Sequence, residues 1–257
     1  MSAKTSAASV VSRAMSLLPV SLLQKIELAA QLGQGKGWGT DTVESEVRAG
    51  LELLGGATPQ PVVADVGANV GLWTEALLST APGSTVHAFE PSGTAFAALT
   101  ARVGGRPGVH LHRAAVGRDA GTATLWSDTA GSVLASLERR RLDHRDISFD
   151  HAEEVQVVTL DDVFADTAAP SLLKIDVEGR ELDVLLGATK VLETVRVVQF
   201  EFGGCNIDTR TYLRDFWYFF TDRGFKVHRV GPRGVRELRH YHEIDEFFVT
   251  TNLIASR

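Results

Sequence analysis

The segment at residues 65–71 constrains the fold more than any other part of this 257-residue chain. Its sequence is Asp-Val-Gly-Ala-Asn-Val-Gly, and it joins a short apolar run at residues 61–67 to a helical pattern that starts at Gly71. The apolar run is typical of a parallel strand that is buried on both faces. Glycines at such a turn let the backbone approach a ligand closely, and the helix N-terminus offers unpaired N–H groups. The segment therefore predicts a ligand-binding loop in an α/β fold.

Apolar runs and helical patterns alternate along the rest of the chain. Further strand-like runs lie at residues 85–90, 109–116, 122–126, 155–160, 171–177 and 196–202. Helices are predicted at residues 71–78, from Pro91 onward, at 181–192 and at 209–222. Two last runs, 225–230 and 246–254, are predicted to pair as a C-terminal antiparallel hairpin at the sheet edge. The alternation predicts a Rossmann-like α/β sheet with helices on both faces.

Two segments outside this alternation bear on the domain organisation. Helical periodicity predicts an N-terminal helical extension at residues 1–56, followed by one domain at residues 57–257. A polar insertion at residues 131–154 is predicted to form a lid over the ligand pocket. The aromatic stripe of the 209–222 helix is interpreted either as core or as a contact in a homodimer.

Charge and composition restrict the partners. The formal net charge is -6, whereas proteins that bind nucleic acid over a broad surface usually carry a net positive charge, so no nucleic-acid partner is expected. No run approaches the roughly 18 apolar residues that a membrane helix needs, so no membrane insertion is expected. Cys205 is the single cysteine, which excludes an intrachain disulfide and fits a cytoplasmic location.

The residue types around the glycine loop indicate the class of ligand. Glu90 lies at the end of the second predicted strand, where a carboxylate can accept hydrogen bonds from ribose hydroxyls. The loop has the spacing G-x-x-x-G, and it lacks the second close glycine that the G-x-G-x-x-G fingerprint uses to bind pyrophosphate. An adenosyl ligand without pyrophosphate is therefore favoured. A dinucleotide, or a fold that has lost catalysis, is the alternative.

Five blocks of sequence resemble the FkbM-type methyltransferases. They lie at residues 65–74, 89–92, 115–117, 159–162 and 173–179, the last followed by Glu181. The block at 173–179, Leu-Lys-Ile-Asp-Val-Glu-Gly, is much more specific than the glycine loop, which fits many methyltransferases. The resemblance implies a class I sheet and S-adenosylmethionine-dependent O-methylation of sugars, glycans or polyketide-like natural products.

The resemblance and the loop together assign a donor site. The expected cofactor-binding residues are Asp65, Gly67, Asn69 and Gly71 beneath the methionine part of the donor, Glu90 at the ribose, and Ser92, Ala115 and Val116 near the adenine. The acceptor is expected to be a carbohydrate or another small molecule. A module that binds the donor without turnover remains the third alternative.

Carboxylates mark the expected acceptor side. Lys174, Asp176 and Glu178 are predicted to alternate on one face of a strand, and Glu201 occupies the matching end of the next strand. Burying such groups is costly unless they are paired or face a cleft. Asp176 and Glu201 are therefore candidate catalytic residues, and Glu178 either contacts the substrate or caps the next helix. The two carboxylates bind acceptor hydroxyls, supply a general base, or together hold Mg²⁺.

The insertion supplies the remaining candidates. Methyl transfer to an alcohol requires removal of a proton, and histidine has a pKa near working pH. His144 is the histidine of the insertion chosen as the candidate base. Arg141 is a candidate donor to an anionic or polyhydroxylated acceptor, although an arginine run is also typical of a solvated surface. Ser132 matches a Gly-Ser element of the family and is expected to contact the acceptor.

Overall fold

The structure, a computed structural model, describes residues 10–38, 43–55 and 60–257. Residues 10–15 are helical. The further α-helices are α1 Val20–Gly33, α2 Val43–Leu54, α3 Leu72–Thr80, α4 Gly93–Val103, α5 Leu160–Val163, α6 Glu181–Leu186, α7 Cys205–Thr209 and α8 Leu213–Thr221. Short 3₁₀ turns lie at Asp143–Arg145, Val191–Glu193 and Glu243–Asp245.

The strands form two sheets. They are β1 Val62–Val66, β2 Thr85–Phe89, β3 Val109–His112, β4 Ala115–Val116, β5 Gly121–Ser127, β6 His151–Val158, β7 Leu172–Ile175, β8 Val197–Phe202, β9 Lys226–Gly231, β10 Gly234–Glu237 and β11 Thr251–Ser256. Within the described residues the main sheet has the order β10-β9-β11-β8-β7-β1-β2-β3. Strands β3, β2, β1, β7 and β8 are parallel, and β11 is antiparallel to both β8 and β9. This order defines the Rossmann-like class I methyltransferase sheet that the sequence predicts.

Hydrophobic residues cover both faces of the main sheet because side chains alternate along each strand. On β1, Val63 packs in a cluster with Leu77 of α3, whereas Val66 packs in a second cluster with Val184 of α6 and Phe216 of α8. All five are buried. Helices therefore lie on both faces of the sheet, as predicted. The aromatic residues of α8 are mainly core, since Phe216 stacks on Phe200 with ring centroids 5.1 Å apart.

The predicted strand at 109–116 is wrong, because the chain changes sheets within it. Strand β3 ends at His112 on the edge of the main sheet, and β4 begins at Ala115 in a second sheet with the order β4-β6-β5. Strands β5 and β6 pair antiparallel along all of β5, from Gly121–Val157 to Ser127–His151. This small sheet carries the insertion at residues 131–154 towards the main sheet.

Three predicted helices have different bounds in the structure. Pro91 does not open a helix, since Ser92 is the N-cap of α4 and the helix begins at Gly93. The predicted helix at 181–192 ends at Leu186, where Gly187 follows. The predicted helix at 209–222 begins later, at Leu213 of α8, because α7 ends at Thr209 and Arg210 after it has the left-handed conformation.

The C-terminal strands pair antiparallel, but not as an edge hairpin. Strand β11 lies between β8 and β9, and β9 forms its tight hairpin with β10 at the edge instead. The periodicity of hydrophobic residues does not distinguish these two arrangements, because β9 and β11 are largely buried in either of them.

The N-terminal helices differ in how they contact the domain. Helix α2 is packed, with Val47 and Leu54 in the same core cluster as Val63. Helix α1 has no buried residue, and the segment after it is attached through Lys36, whose ammonium contacts the carbonyl of Ile244. No described helix is both long enough and apolar enough to cross a membrane. The predicted division between residues 56 and 57 lies outside the described residues and remains a prediction.

Candidate active site

The glycine loop between β1 and α3 is built around a close backbone approach. Gly67 has φ +77°, and a Cβ placed on it would lie 1.8 Å from the carbonyl oxygen of Asp176. Its amide donates to the carbonyl of Phe89 at 3.0 Å, as does that of Ala68 at 2.9 Å. Asn69 follows with φ 48°, a left-handed conformation that asparagine tolerates. The loop is therefore fixed between the ends of β2 and β7.

A buried ion pair lies under this loop. Asp65 is fully buried, and its carboxylate accepts a hydrogen bond from Thr74 Oγ1 at 2.5 Å and lies 3.2 Å from Lys174 Nζ. Lys174 also donates to the Gly67 carbonyl at 2.8 Å and lies 3.6 Å from Asp176. Burial lowers the pKa of Lys174, but the Asp65 and Asp176 carboxylates outweigh it, so this pKa lies above its ordinary value. Asp65 and Lys174 thus hold the loop in place, and neither has to touch a ligand to do so.

Glu90 connects the loop to the end of β2. Its Oε2 accepts the Asn69 amide at 2.9 Å, and its Oε1 accepts the Ser92 amide at 2.8 Å. The side chain is 5% exposed, and burial raises the pKa of Glu90 to about 7 against these two hydrogen bonds.

One cavity of about 720 Å³ joins the predicted donor and acceptor sides. On the donor side it is lined by Gly67, Asn69, Glu90, Ala115 and Val116. On the acceptor side it is lined by Ser132, Arg140, Asp176, Glu178 and Glu201. The two sides meet where β1 and β7 end, the point at which open parallel sheets bind ligands.

The remaining predicted donor residues support the cavity without lining it. Asp65 is buried beneath the loop, Gly71 is the N-cap of α3, and Ser92 is buried at the start of α4. Helix α2 also reaches the cavity through Glu46, which accepts a hydrogen bond from Gln199 Nε2 at 3.2 Å. Sequence reasoning missed Glu46 because an acidic residue in an amphipathic helix is usually solvent-exposed.

Asp176 and Glu178 follow strand β7 instead of alternating along it, whereas Glu201 lies within strand β8. Strand β7 ends at Ile175, so Asp176 and Glu178 lie in the loop that leads to α6, and the predicted strand pattern is wrong there. The Asp176 side chain is 39% exposed, which makes it accessible from the cavity. Glu178 has φ 55°, and one of its carboxyl oxygens lies within 4.8 Å of a carboxyl oxygen of Glu201 on β8.

Burial and neighbouring carboxylates raise the pKa values of Glu178 and Glu201. Burial, with the nearby Asp176 carboxylate, raises the pKa of Glu178 to about 8, although Arg140 opposes the shift. Burial also raises the pKa of Glu201 well above its ordinary value, and the carboxylates of Asp176 and Glu178 add to the effect. Burial raises the pKa of Glu181 to about 7. The acceptor side can therefore hold protons at neutral pH.

Arg140 is a buried cation on the acceptor side of the cavity, and the sequence prediction chose its neighbour. Arg140 Nη1 lies 2.7 Å from Glu178 Oε2, and its Nε lies 3.1 Å from Asp208 Oδ2. The side chain of Arg141 is instead 88% exposed, pairs with Asp143 two residues away, and does not line the cavity. The Arg141 prediction is thus corrected to Arg140. In a run of three arginines without regular secondary structure, sequence alone does not indicate which one is buried.

His144 lies outside the cavity. It belongs to the 3₁₀ turn Asp143–Arg145 and is exposed, whereas its neighbour Arg145 does line the cavity. The prediction of His144 as the base is therefore corrected, because the turn directs this histidine to solvent.

The predicted Mg²⁺ pair does not form a suitable ligand set. Among the described residues, one group of metal-ligating side chains has its ligand atoms within 4.8 Å of one another. It consists of Glu178, Glu201 and Cys205 and does not include Asp176. Mg²⁺ prefers oxygen ligands, and a thiol is a poor partner for it. Burial raises the pKa of Cys205 above its ordinary value, and Arg140 already contacts the Glu178 carboxyl group. These residues do not fit Mg²⁺.

The sheet order, the glycine loop and the two-sided cavity define a class I methyltransferase fold. The family described as Methyltransferase FkbM domain matches residues 65–227, and the chain belongs to this family. Two curated relatives are similar to it. The 31-O-demethyl-FK506 methyltransferase FkbM of Streptomyces tacrolimicus is 38% identical over 171 residues, which are 55% of this chain and 63% of that protein. Methyltransferase 1 of Beauveria bassiana is 28% identical over 142 residues, or 49% and 57% of the two chains.

The matches leave parts of those proteins uncovered, since the chain spans about three fifths of the length of these curated relatives. A solved structure is also similar to this chain. It is the methyltransferase FkbM from Methylobacillus flagellatus KT, with 15% identity and a TM-score of 0.49, covering 92% of this chain and 60% of that one.

Proposed function

We propose that the protein is an S-adenosylmethionine-dependent O-methyltransferase that acts on a hydroxyl of a sugar or glycan. The observation that carries this proposal is the continuous cavity with the glycine loop and Glu90 on one side and Asp176, Glu178 and Glu201 on the other. Bound S-adenosylmethionine would supply an electrophilic methyl group on its sulfonium.

The residues of the donor side fit an adenosyl ligand. Gly67, Ala68 and Asn69 of the glycine loop line the cavity, so their backbone can contact a ligand there. Glu90 keeps lone pairs beyond its two amide contacts, and these can accept ribose hydroxyls. Buried Ala115 and Val116 offer an apolar surface for a flat adenine ring.

The acceptor side fits a hydroxyl. Asp176 is the accessible carboxylate there, and it would accept a hydrogen bond from the hydroxyl and orient its oxygen towards the donor side. Glu178, with a pKa of about 8, would take the proton, because a general base works best with a pKa near working pH. Glu201, whose pKa is raised further by its neighbours, would keep its proton and donate a hydrogen bond.

The second candidate acceptor is a polyketide-like small molecule. Exposed apolar side chains lie around the cavity, namely Leu72, Val133 and Val249, exposed by 51%, 70% and 52%. They would contact the apolar body of such an acceptor while the carboxylates bind its hydroxyl. The Streptomyces tacrolimicus relative is named for 31-O-demethyl-FK506, which makes that compound the first of this type to test.

The first experiment is titration calorimetry with S-adenosylmethionine and S-adenosylhomocysteine, with NAD as the control. Micromolar binding of both adenosyl ligands without NAD binding supports the donor side. Methyl transfer from labelled S-adenosylmethionine to neutral methyl glycosides, and in parallel to 31-O-demethyl-FK506, then separates the two acceptors. Donor binding without transfer to a broad panel of hydroxyl compounds would instead support a module without turnover.

A further inference from the structure

Glu178 is held in a conformation that its own residue type does not favour. Its φ is 55°, the left-handed region that costs a residue with a Cβ on the order of 1–2 kcal/mol. Residues in such regions persist only where the surrounding contacts fix them, and they concentrate at functional sites. For Glu178 both ends of the residue are fixed by the insertion at residues 131–154. Ser136 Oγ donates to its carbonyl oxygen at 2.8 Å, and Arg140 binds its carboxylate.

The contact with Arg140 is the charged one of these two contacts. Its side chain is 6% exposed and lies between two carboxylates from different elements, at 2.7 Å from Glu178 and 3.1 Å from Asp208. Asp208 belongs to α7, which follows β8, whereas Glu178 follows β7. A guanidinium presents its donors in a rigid fork, so it can bind both carboxylates at once, which an ammonium on a flexible chain does poorly.

The segment around Arg140 is itself anchored. Ser136 and Trp126 exchange two backbone hydrogen bonds, of 2.8 and 2.9 Å, which fixes the segment to strand β5. Two residues before Arg140, Glu138 pairs with Arg180 in the loop after Glu178. The insertion therefore reaches the acceptor side through a fixed stretch of chain, and Arg140 lines the cavity there.

We propose that Arg140 is a positioning residue that fixes the direction of the Glu178 side chain at the acceptor side of the cavity and favours loss of its proton. This proposal rests on the proposed function, in which Glu178 takes the proton of the acceptor hydroxyl. Arg140 does not touch the reacting atoms. It fixes the direction of the Glu178 side chain and supplies a positive charge beside a carboxylate whose other close charged neighbours are Asp176, Glu181 and Glu201.

The charge balance makes the consequence of losing Arg140 predictable. Burial and the Asp176 carboxylate both favour the protonated form of Glu178, and Arg140 is the group that opposes them. Without the guanidinium, Glu178 would keep its proton to a higher pH. It would then be a poorer proton acceptor at neutral pH, even if the fold were unchanged.

The test is a carbon-13 NMR titration of glutamate carboxyl groups in the full chain, with and without S-adenosylhomocysteine. The Glu178 resonance is assigned by its absence in Glu178→Gln. In the wild type we expect a midpoint near the pKa of about 8. In Arg140→Met we expect that midpoint to rise by about one pH unit or more, because an opposite charge at hydrogen-bond distance is lost. Arg140→Lys, which keeps the charge, should return it towards the wild-type value.

Arg141→Met is the matched control, since it removes the adjacent exposed arginine and should leave the Glu178 midpoint unchanged. Arg140→Gln serves as the charge-neutral variant should Arg140→Met fail to fold. An unchanged midpoint in the charge-neutral variants, or an equal shift in Arg141→Met, would overturn the proposal. Calorimetry of the wild type and the same variants with S-adenosylhomocysteine tests the proposed function separately from the role of Arg140. Lack of binding by the wild type would overturn the proposed function, whereas the titration judges Arg140 by itself.

Discussion

The backbone amide of Asn69 donates a hydrogen bond of 2.9 Å to Oε2 of Glu90, which joins the glycine loop after β1 to the end of β2. The same carboxylate receives the Ser92 amide on its other oxygen, at 2.8 Å. One side chain therefore fixes both the loop beneath the proposed donor and the start of α4. Glu90 has this structural task in addition to its proposed contact with ribose.

Glu90→Ala should weaken binding of S-adenosylhomocysteine by about 1–3 kcal/mol, because charge-assisted hydrogen bonds are lost. Calorimetry measures this directly. Glu75→Ala on α3 is the control, as that glutamate pairs with Arg102 at the surface. Equal affinities of Glu90→Ala and the wild type would show that Glu90 does not contact the donor.

Gly67→Ala should destabilise the protein by about 2 kcal/mol or more, since the new methyl group would overlap the Asp176 carbonyl. Chemical denaturation measures the free energy of unfolding. Gly105→Ala is the matched control, because Gly105 has a similar φ of +76° and no atom within 4 Å of its would-be Cβ. Similar losses in both variants would assign the effect to backbone strain alone and contradict a close approach at Gly67.

Asp176→Asn should abolish methyl transfer while leaving affinity for S-adenosylhomocysteine within about twofold, because the amide keeps the shape but loses the charge that binds the acceptor hydroxyl. The assay uses whichever acceptor the transfer screen identifies. Asp183→Asn on α6, where the aspartate pairs with Arg180, is the control. Wild-type rates in Asp176→Asn would remove this residue from the reaction.

Glu181→Gln should change how stability depends on pH. Burial raises the pKa of Glu181 to about 7 from 4.5, so the folded state binds its proton more tightly than the unfolded state does. The protonated Glu181 therefore contributes to the free energy of unfolding in full below pH 4.5, and this contribution is lost as pH rises to about 7. The free energy of unfolding of Glu181→Gln, taken relative to that of the wild type, should therefore rise by about 2–3 kcal/mol between pH 4.5 and pH 8.

The free energy of unfolding of the variant must be compared with that of the wild type at each pH, because His87 changes stability with pH in the opposite direction. Burial lowers the pKa of His87 to about 4, so the contribution of His87 to the free energy of unfolding rises with pH between about 4 and 6.5. Urea denaturation at several pH values gives both curves. A constant difference between Glu181→Gln and the wild type across this range would contradict the assignment.

The sequence predicted the geometry around the glycine loop and Glu90 better than the geometry around Asp176, Glu178 and Glu201. The strand-to-helix turn at Gly67 and the carboxylate of Glu90 follow from local patterns, since glycine spacing and strand ends lie in one stretch of chain. The family of the chain was also predicted, from its own short motifs. The structure places Asp176 and Glu201 beside one cavity, as neighbouring strand ends imply.

The acceptor wall could not be predicted because it depends on contacts between distant residues. Arg140 is 38 residues from Glu178 and 68 from Asp208, and no periodic pattern marks it as the buried member of its run. His144 was chosen by its chemistry, but a 3₁₀ turn exposes it. The split of 109–116 between β3 and β4 likewise follows from sheet pairing, which hydropathy does not encode.

Strand β11 has a consequence for the order in which the chain can assemble. It comes after β9 and β10 in sequence, yet lies between β9 and β8 in the sheet, and each of its residues is buried. The β9–β10 hairpin can form early, since its strands are neighbours in sequence. It cannot join the parallel strands until β11 is inserted between them, because β9 has no direct contact with β8 in the sheet. Such distant pairings form late and slow folding. A ribosome-bound chain that lacks residues 251–256 would thus keep the edge of β8 open, beside Glu201 and next to the proposed acceptor site.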